Sequence, residues 1–183
     1  GFHDLYYGTA LPPHRRPIEL TDPMQRIGEP YLRVDPDKVV AVVETDHPDR
    51  NSPFSAPDAT SRAIAGHVVE FLQHEVDRGR MPADLLPLQS GVGNVANAVL
   101  AGLSASDFTD LVAFTEVIQD GMLDLLDDGT LRAASATSFG LSDVGVQRFL
   151  EHIDGYKGRI LLRSEEISNH PELIRRLGVI AMN

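Results

Sequence analysis

Glu116 closes the apolar run Leu111-Val-Ala-Phe-Thr115 and precedes Val117-Ile118-Gln119-Asp120 and a helical pattern. In α/β proteins ligands collect where strands hand over to helices, so a carboxylate at that point meets a ligand. Three roles stay open for it: a nucleophile toward an acyl group, an acceptor for a ribose hydroxyl, or a helix-terminal charge worth about 0.3–1 kcal/mol. Upstream, Leu88-Gln89-Ser90-Gly91-Val92-Gly93-Asn94-Val95-Ala96-Asn97 places two glycines between an apolar run and a helix. The glycines permit a sharp turn and free the amides of a helix N-terminus, a setting for an anion. The same Gly-x-Gly-x-x-Ala spacing matches a dinucleotide fingerprint, which makes a nicotinamide or flavin enzyme a rival reading. A plain structural role, close packing of helix on strand, also fits.

Other polar groups carry weaker signals. Ser90 adjoins Gly91 but lacks the Gly-x-Ser-x-Gly frame of a nucleophile elbow, so a structural or ligand-contacting serine fits better. His67 and His74 share a helical face with Glu70, a spacing that can present a metal but offers no third ligand, so the expectation is an ordinary helix surface and no metal. Asp124, Asp127 and Asp128 alternate with Leu123, Leu125 and Leu126, as on a solvated face opposite a buried one. With no cysteine in the chain, disulfides, thiolate metal sites and a cysteine nucleophile are excluded. A net charge of -11 repels nucleic acid and anionic lipid, and no Lys/Arg cluster reverses it locally.

The elements that must position these groups follow from composition and periodicity. With 183 residues, 42% hydrophobic and 23% charged, the chain can bury a core. It has no apolar run of membrane-spanning length and no signal-peptide order, so the expectation is a cytoplasmic protein. The start at Gly1 and the apolar run at the far end read as cut ends. Prolines 12, 13, 17, 23, 30 and 36 favour extended loops over the first 36 residues. The β-branched run 39–45 predicts a strand buried on both faces, followed by a loop over 48–57. Asp58 caps a predicted helix that runs through Ala63, Ile64, His67, Val68, Phe71, Leu72 and Val76, spaced by three or four along one face, with Gly79 as its stop. Beyond it, strands are predicted at 85–89, 111–115, 131–137, 159–163 and 179–182, and helices over 94–102, 119–126, 143–153 and 171–177. Alternation of this kind implies an α/β fold, a mostly parallel sheet with flanking helices.

The run Leu85-Leu86-Pro87-Leu88-Gln89-Ser-Gly-Val-Gly-Asn-Val-Ala-Asn-Ala-Val-Leu-Ala-Gly102 closely resembles the acetyl-CoA hydrolase/transferase family, which includes succinyl-CoA:acetate CoA-transferases. Phe114-Thr-Glu-Val-Ile-Gln-Asp120, Ala134-Ser-Ala-Thr-Ser138 and Leu162-Arg-Ser-Glu-Glu-Ile-Ser-Asn169-His-Pro-Glu-Leu-Ile-Arg-Arg-Leu-Gly178 resemble it in the same order. The N-terminal Gly1-Phe-His-Asp-Leu-Tyr, Arg26-Ile-Gly28 and the run 39–44 are similar to its middle region. Four ordered matches are far more specific than one glycine pattern.

The resemblance implies a CoA-transferase architecture of the NagB/RpiA-like kind. Residues 1–57 would be the end of a first domain and a linker, and 58–183 the first part of a second, C-terminal domain. It implies that Glu116 attacks an acyl-CoA thioester and passes through a glutamyl-CoA thioester, with acetate or succinate as guessed substrates. Coenzyme A would be a substrate, with no permanently bound cofactor, and small carboxylic acids the other partners of a homodimeric parent protein. Leu86, Pro87, Leu88, Gln89, Ser90, Gly91, Gly93, Asn94, Asn97 and Asn169 would contact CoA, the Asn169 role resting chiefly on the resemblance. Arg163, Arg175 and Arg176 are available donors for CoA phosphates, although a surface or structural role is the more ordinary one for each. The family also has a later glycine-rich loop, so a segment lacking it would be inactive alone; a non-catalytic piece and an acetyl-CoA hydrolase are the remaining alternatives.

Overall fold

A computed structural model describes residues 1–10, 13–47 and 56–182. Most of the expected loop over 48–57 lies outside these residues. The described chain builds a five-stranded parallel sheet in the order β6-β4-β2-β1-β7 and a separate two-stranded parallel sheet, β3-β5. The strands are β1 (Leu88–Ser90), β2 (Leu111–Phe114), β3 (Val117–Gln119), β4 (Leu131–Ala136), β5 (Ser138–Gly140), β6 (Ile160–Leu162) and β7 (Ile180–Met182). The helices are α1 (Ala59–Asp77), α2 (Asn94–Ser104), α3 (Asp120–Asp128), α4 (Asp143–Glu151), α5 (Ile153–Tyr156), α6 (Glu165–Ser168) and α7 (Pro171–Leu177). The expected α/β fold is observed.

Local chemistry accounts for the element ends. The Asp58 carboxylate accepts the Ser61 amide at 2.7 Å and caps α1. Pro171 opens α7, where its missing N–H costs nothing, and Gly178 closes it at φ 68°. Gly129 ends α3 in the same left-handed way at φ 84°.

Two cores hold the layers. Leu88, Val99, Leu103, Leu111, Leu123, Leu126 and Ile160 belong to the main one, in which α2 and α3 cover the sheet. Ile18, Leu20, Phe114, Ile167 and Leu173 form the second, so the N-terminal segment supplies part of the packing for α6 and α7. That segment also extends the sheet edge: Asp4 N–H donates to Leu162 O and Leu162 N–H to Phe2 O, each at 2.8 Å.

A buried ion pair fixes this join. Arg163, following β6, is 2% exposed and its guanidinium donates to the Asp4 carboxylate, to Ser135 Oγ at 2.7 Å, and to the carbonyls of Pro23 and Gln25 at 3.0 and 2.6 Å. Asp4 in turn accepts the amides of Ile27 and Gly28. Burial pulls the Arg163 pKa down while Asp4 opposes it. Satisfied on every side, Arg163 is therefore not a phosphate donor.

Two expectations are corrected. The run 39–45 forms no strand, and Val40, Val42 and Val43 are 97%, 83% and 82% exposed. A strand needs a neighbour to complete its backbone ladder, and none of the described residues pairs with this run. On α1, Ser61, Ala65 and Leu72 are buried while Ile64 and Phe71 point outward at 42% and 57% exposure, so the buried stripe is rotated from the expected one. The acids of α3 lie on the exposed face opposite buried Leu123, Leu125 and Leu126, as expected; there Asp124 pairs with Arg148 at 2.6 Å, Asp127 accepts the Tyr156 hydroxyl at 2.9 Å, and Asp128 the Ser104 hydroxyl at 2.5 Å.

Candidate active site

The connections leaving β1, β2 and β6 at their carboxyl ends bring three segments together. β2 delivers Thr115 and Glu116, β1 delivers the glycine turn, and the chain after β6 delivers Asn169 at the C-terminus of α6. Glu116 is not the first charge of a helix, because β3 separates it from α3. Its carbonyl accepts the amides of Thr137 and Ser138 at 2.8 and 3.1 Å, which pins its backbone between the two sheets. Its side chain stays exposed, and Oε2 accepts a hydrogen bond from Asn169 Nδ2 at 3.2 Å. Gln89 Nε2 reaches Asn169 Oδ1 at 3.5 Å, so Gln89, Asn169 and Glu116 form one polar row.

A carboxylate so held is oriented and open to a substrate. The fixed amide donor restricts rotation of the carboxylate while leaving its other oxygen free to attack.

The glycine turn is built differently from its motif. The Gly91 amide donates to Met182 O at 3.0 Å and is unavailable to a ligand. Gly93 lies at φ 145° and ψ -179°, a conformation essentially restricted to glycine, and serves as N-cap of α2. The amides of Val92, Gly93 and Asn94 have no acceptor among the described residues and lie at the start of α2, where the helix dipole favours an anion. Asn97 is already in the first turn of α2, its amide on Gly93 O at 3.0 Å.

Two residues that sequence reasoning missed lock this turn to the glutamate strand. The Thr115 hydroxyl donates to Ser90 O at 3.1 Å and lies 3.3 Å from the Ser90 amide. Gln119 Nε2 donates to Gly91 O at 2.9 Å from a side chain only 1% exposed. Both flank Glu116 and both grip the backbone entering the glycine turn. Their signal in the sequence was a polar residue among apolar strand neighbours.

Not all expected contact residues converge. Leu88 is buried in the main core, and Leu86 and Pro87 precede β1, Pro87 O accepting the Ile180 amide at 2.8 Å. Ser90 is 3% exposed, with its hydroxyl on Gly91 O at 3.3 Å. Arg176 donates to Ile18 O at 2.6 Å and Arg175 pairs with Glu172 at 3.0 Å. His67 stands exposed on α1, 3.5 Å from Glu70, and the described residues contain no group of three potential metal ligands. Among the described residues the buried hydroxyls of Thr137, Ser164 and Ser168 have no hydrogen-bond partner.

Comparison with known proteins places the chain in a family. No family model matches the chain. Over all 183 residues, however, it is 53% identical to an acetyl-CoA hydrolase of Schizosaccharomyces pombe, 51% to one of Neurospora crassa and 48% to one of Saccharomyces cerevisiae. The chain belongs to the acetyl-CoA hydrolase/transferase family. It spans 35% of the length of those relatives. Among solved structures, RipA from Yersinia pestis aligns with a TM-score of 0.57 and 25% identity over 78% of this chain and 32% of that one. A mutant RipA structure aligns at 0.59 and 24%, covering 77% of this chain and 30% of that one, and shows the shared fold. Within the acetyl-CoA hydrolase/transferase family, the resemblance read from the four segments thus extends over the whole chain.

Proposed function

We propose that this chain supplies the nucleophile and the thioester-facing turn of an enzyme acting on acyl-CoA, with Glu116 as the attacking group. The observation that carries the proposal is the exposed Glu116 carboxylate held through Oε2 by Asn169, beside the unpaired amides of the α2 N-terminus.

The free carboxylate oxygen attacks the thioester carbonyl carbon and the carbon–sulfur bond breaks, giving an acyl-glutamyl anhydride and CoA thiolate. The thiolate then attacks the Glu116 side-chain carbonyl and expels the acyl group as a carboxylate, leaving glutamyl-CoA. An incoming carboxylate attacks that thioester, and the thiolate returns to the new anhydride to release a new acyl-CoA and regenerate Glu116. Water attacking glutamyl-CoA instead releases CoA and restores the carboxylate, which is net hydrolysis, the activity for which the relatives are named. The oxygen that turns negative in each addition needs donors, and the Val92 to Asn94 amides offer them. Acetyl-CoA or succinyl-CoA is the donor in this reading, a small carboxylic acid or water the acceptor, and a homodimer the working assembly.

The test is a panel of acetate, propionate and succinate as acceptors, with water alone as control, on the full-length protein carrying this segment and on its Glu116→Gln variant. Turnover of acetyl-CoA by the parent and at least a thousandfold less by Glu116→Gln is the expected outcome. Comparable turnover by both removes Glu116 from the chemistry.

A further inference from the structure

Attack on a thioester needs two groups in register: the Glu116 carboxylate, which follows β2, and the amides of Val92 to Asn94, which follow β1. Main-chain pairing does little to hold these two strand ends together. β1 pairs with β7 at three positions and β2 with β4 at four, but β1 and β2 are registered at one pair, Leu88 and Ala113, before the chain reaches Thr115. Beyond that rung the Glu116 amide has no acceptor among the described residues. The Thr115 hydroxyl takes over from the ladder. It accepts from the Ser90 amide at 3.3 Å and donates to the Ser90 carbonyl at 3.1 Å, so one side chain engages both main-chain groups of the residue that enters the turn. Thr115 is buried at 0% exposure, and its own amide donates to Ser135 O at 2.9 Å, which fixes it from the β4 side. Branching at Cβ restricts its χ1, so the hydroxyl is a stiff spacer. Gln119 grips Gly91 O from β3, whereas Thr115 adjoins Glu116 in the chain.

We propose that Thr115 is a positioning residue for the reaction: without touching the substrate, its hydroxyl sets the separation between the Glu116 carboxylate and the amides that receive the thioester oxygen as it turns negative. This rests on the acyl-CoA reading above and adds the group that keeps its two halves aligned. Binding of an acyl-CoA draws on contacts along the whole ligand. Addition to the thioester carbon depends instead on the distance and angle between nucleophile and oxyanion donors, where a misplacement of about 1 Å costs on the order of a hundredfold in rate. Loss of the hydroxyl therefore lowers kcat and leaves KM near its parent value.

The test compares the full-length parent with Thr115→Val, Thr115→Ser and Glu116→Gln in steady-state turnover of acetyl-CoA, each assayed below its own melting temperature. Thr115→Val keeps the shape of the side chain and deletes the hydroxyl; Thr115→Ser keeps the hydroxyl. The expected result is a kcat on the order of a hundredfold lower for Thr115→Val with KM within about threefold of the parent, and a kcat within about tenfold of the parent for Thr115→Ser. A Thr115→Val enzyme that melts earlier yet keeps the parent's kcat marks a purely structural residue and overturns the inference. So does a Thr115→Ser enzyme as slow as Thr115→Val. Should Thr115→Val not fold, Thr115→Cys, whose thiol is a weak donor and acceptor, replaces it under the same criteria. Glu116→Gln separates the two levels. If it turns over acetyl-CoA as the parent does, the nucleophile assignment falls and this inference with it; if it is inactive while Thr115→Val keeps the parent's kcat, this inference alone falls.

Discussion

Replacing Asp4 by Ala removes the counter-ion of a guanidinium that is 2% exposed, and the structure allows the cost to be set. Arg163 keeps its bonds to Ser135 Oγ and to the Pro23 and Gln25 carbonyls, all neutral acceptors. Its charge, however, is left buried without compensation, and the amides of Ile27 and Gly28 lose their acceptor. Breaking a buried pair on one side costs about 3–5 kcal/mol, set against a total stability of roughly 5–15 kcal/mol for a domain. Asp4→Ala should therefore lower the urea midpoint severely, and the N-terminal segment, with its share of the second core, should be the first part to open. Combining it with Arg163→Met removes the stranded charge, so the double variant should be more stable than the sum of the two single losses predicts. The assay is equilibrium urea denaturation of the four proteins. Additive losses, or a cost below about 1 kcal/mol for Asp4→Ala, would refute the claim that this pair holds the segment to the sheet.

Three further outcomes are expected. Gln119→Leu frees Gly91 O but also deletes a buried, partnerless Oε1, so stability should change by no more than about 1 kcal/mol while KM for the acyl-CoA rises; steady-state kinetics beside thermal melting separates the two. Gly145→Ala would place a methyl 1.9 Å from Asp120 Oδ1, which accepts the Ser142 amide at 3.1 Å, and should cost about 1–3 kcal/mol in denaturant titration. Burial, reinforced by Asp127, pushes the Tyr156 hydroxyl up to about 12 from 10, so the stability it contributes is complete below pH 10 and is lost as pH rises toward 12; Tyr156→Phe should remove that alkaline dependence, as read by tyrosinate absorbance and melting across the window.

Much of the fold was legible because each long element carries its own punctuation. Asp58, Pro171, Gly178 and the apolar spacing in α2 and α3 mark boundaries through local chemistry alone, and α7 was read to the residue. β3, β5 and α6 escaped because three or four residues are too short to show a period. The run 39–45 misled because β-branched residues express propensity, whereas a strand exists only with a partner. For the site, the glycine turn and Glu116 could be found at the ends of strands, but Asn169 was reached chiefly through resemblance. Its bond to Glu116 spans 53 positions, and the Arg163–Asp4 pair spans 159, separations over which no local pattern operates. Thr115 and Gln119 act on the backbone of Ser90 and Gly91, and a side chain bonded to distant main chain leaves no spacing to read.

Mass spectrometry of the full-length protein after brief incubation with acetyl-CoA tests the central claim most directly. A covalent CoA adduct on the peptide containing Glu116, absent from Glu116→Gln and removed by hydroxylamine, is the predicted result. Turnover of acetyl-CoA with rapid quenching and no adduct at Glu116 at any time would contradict it.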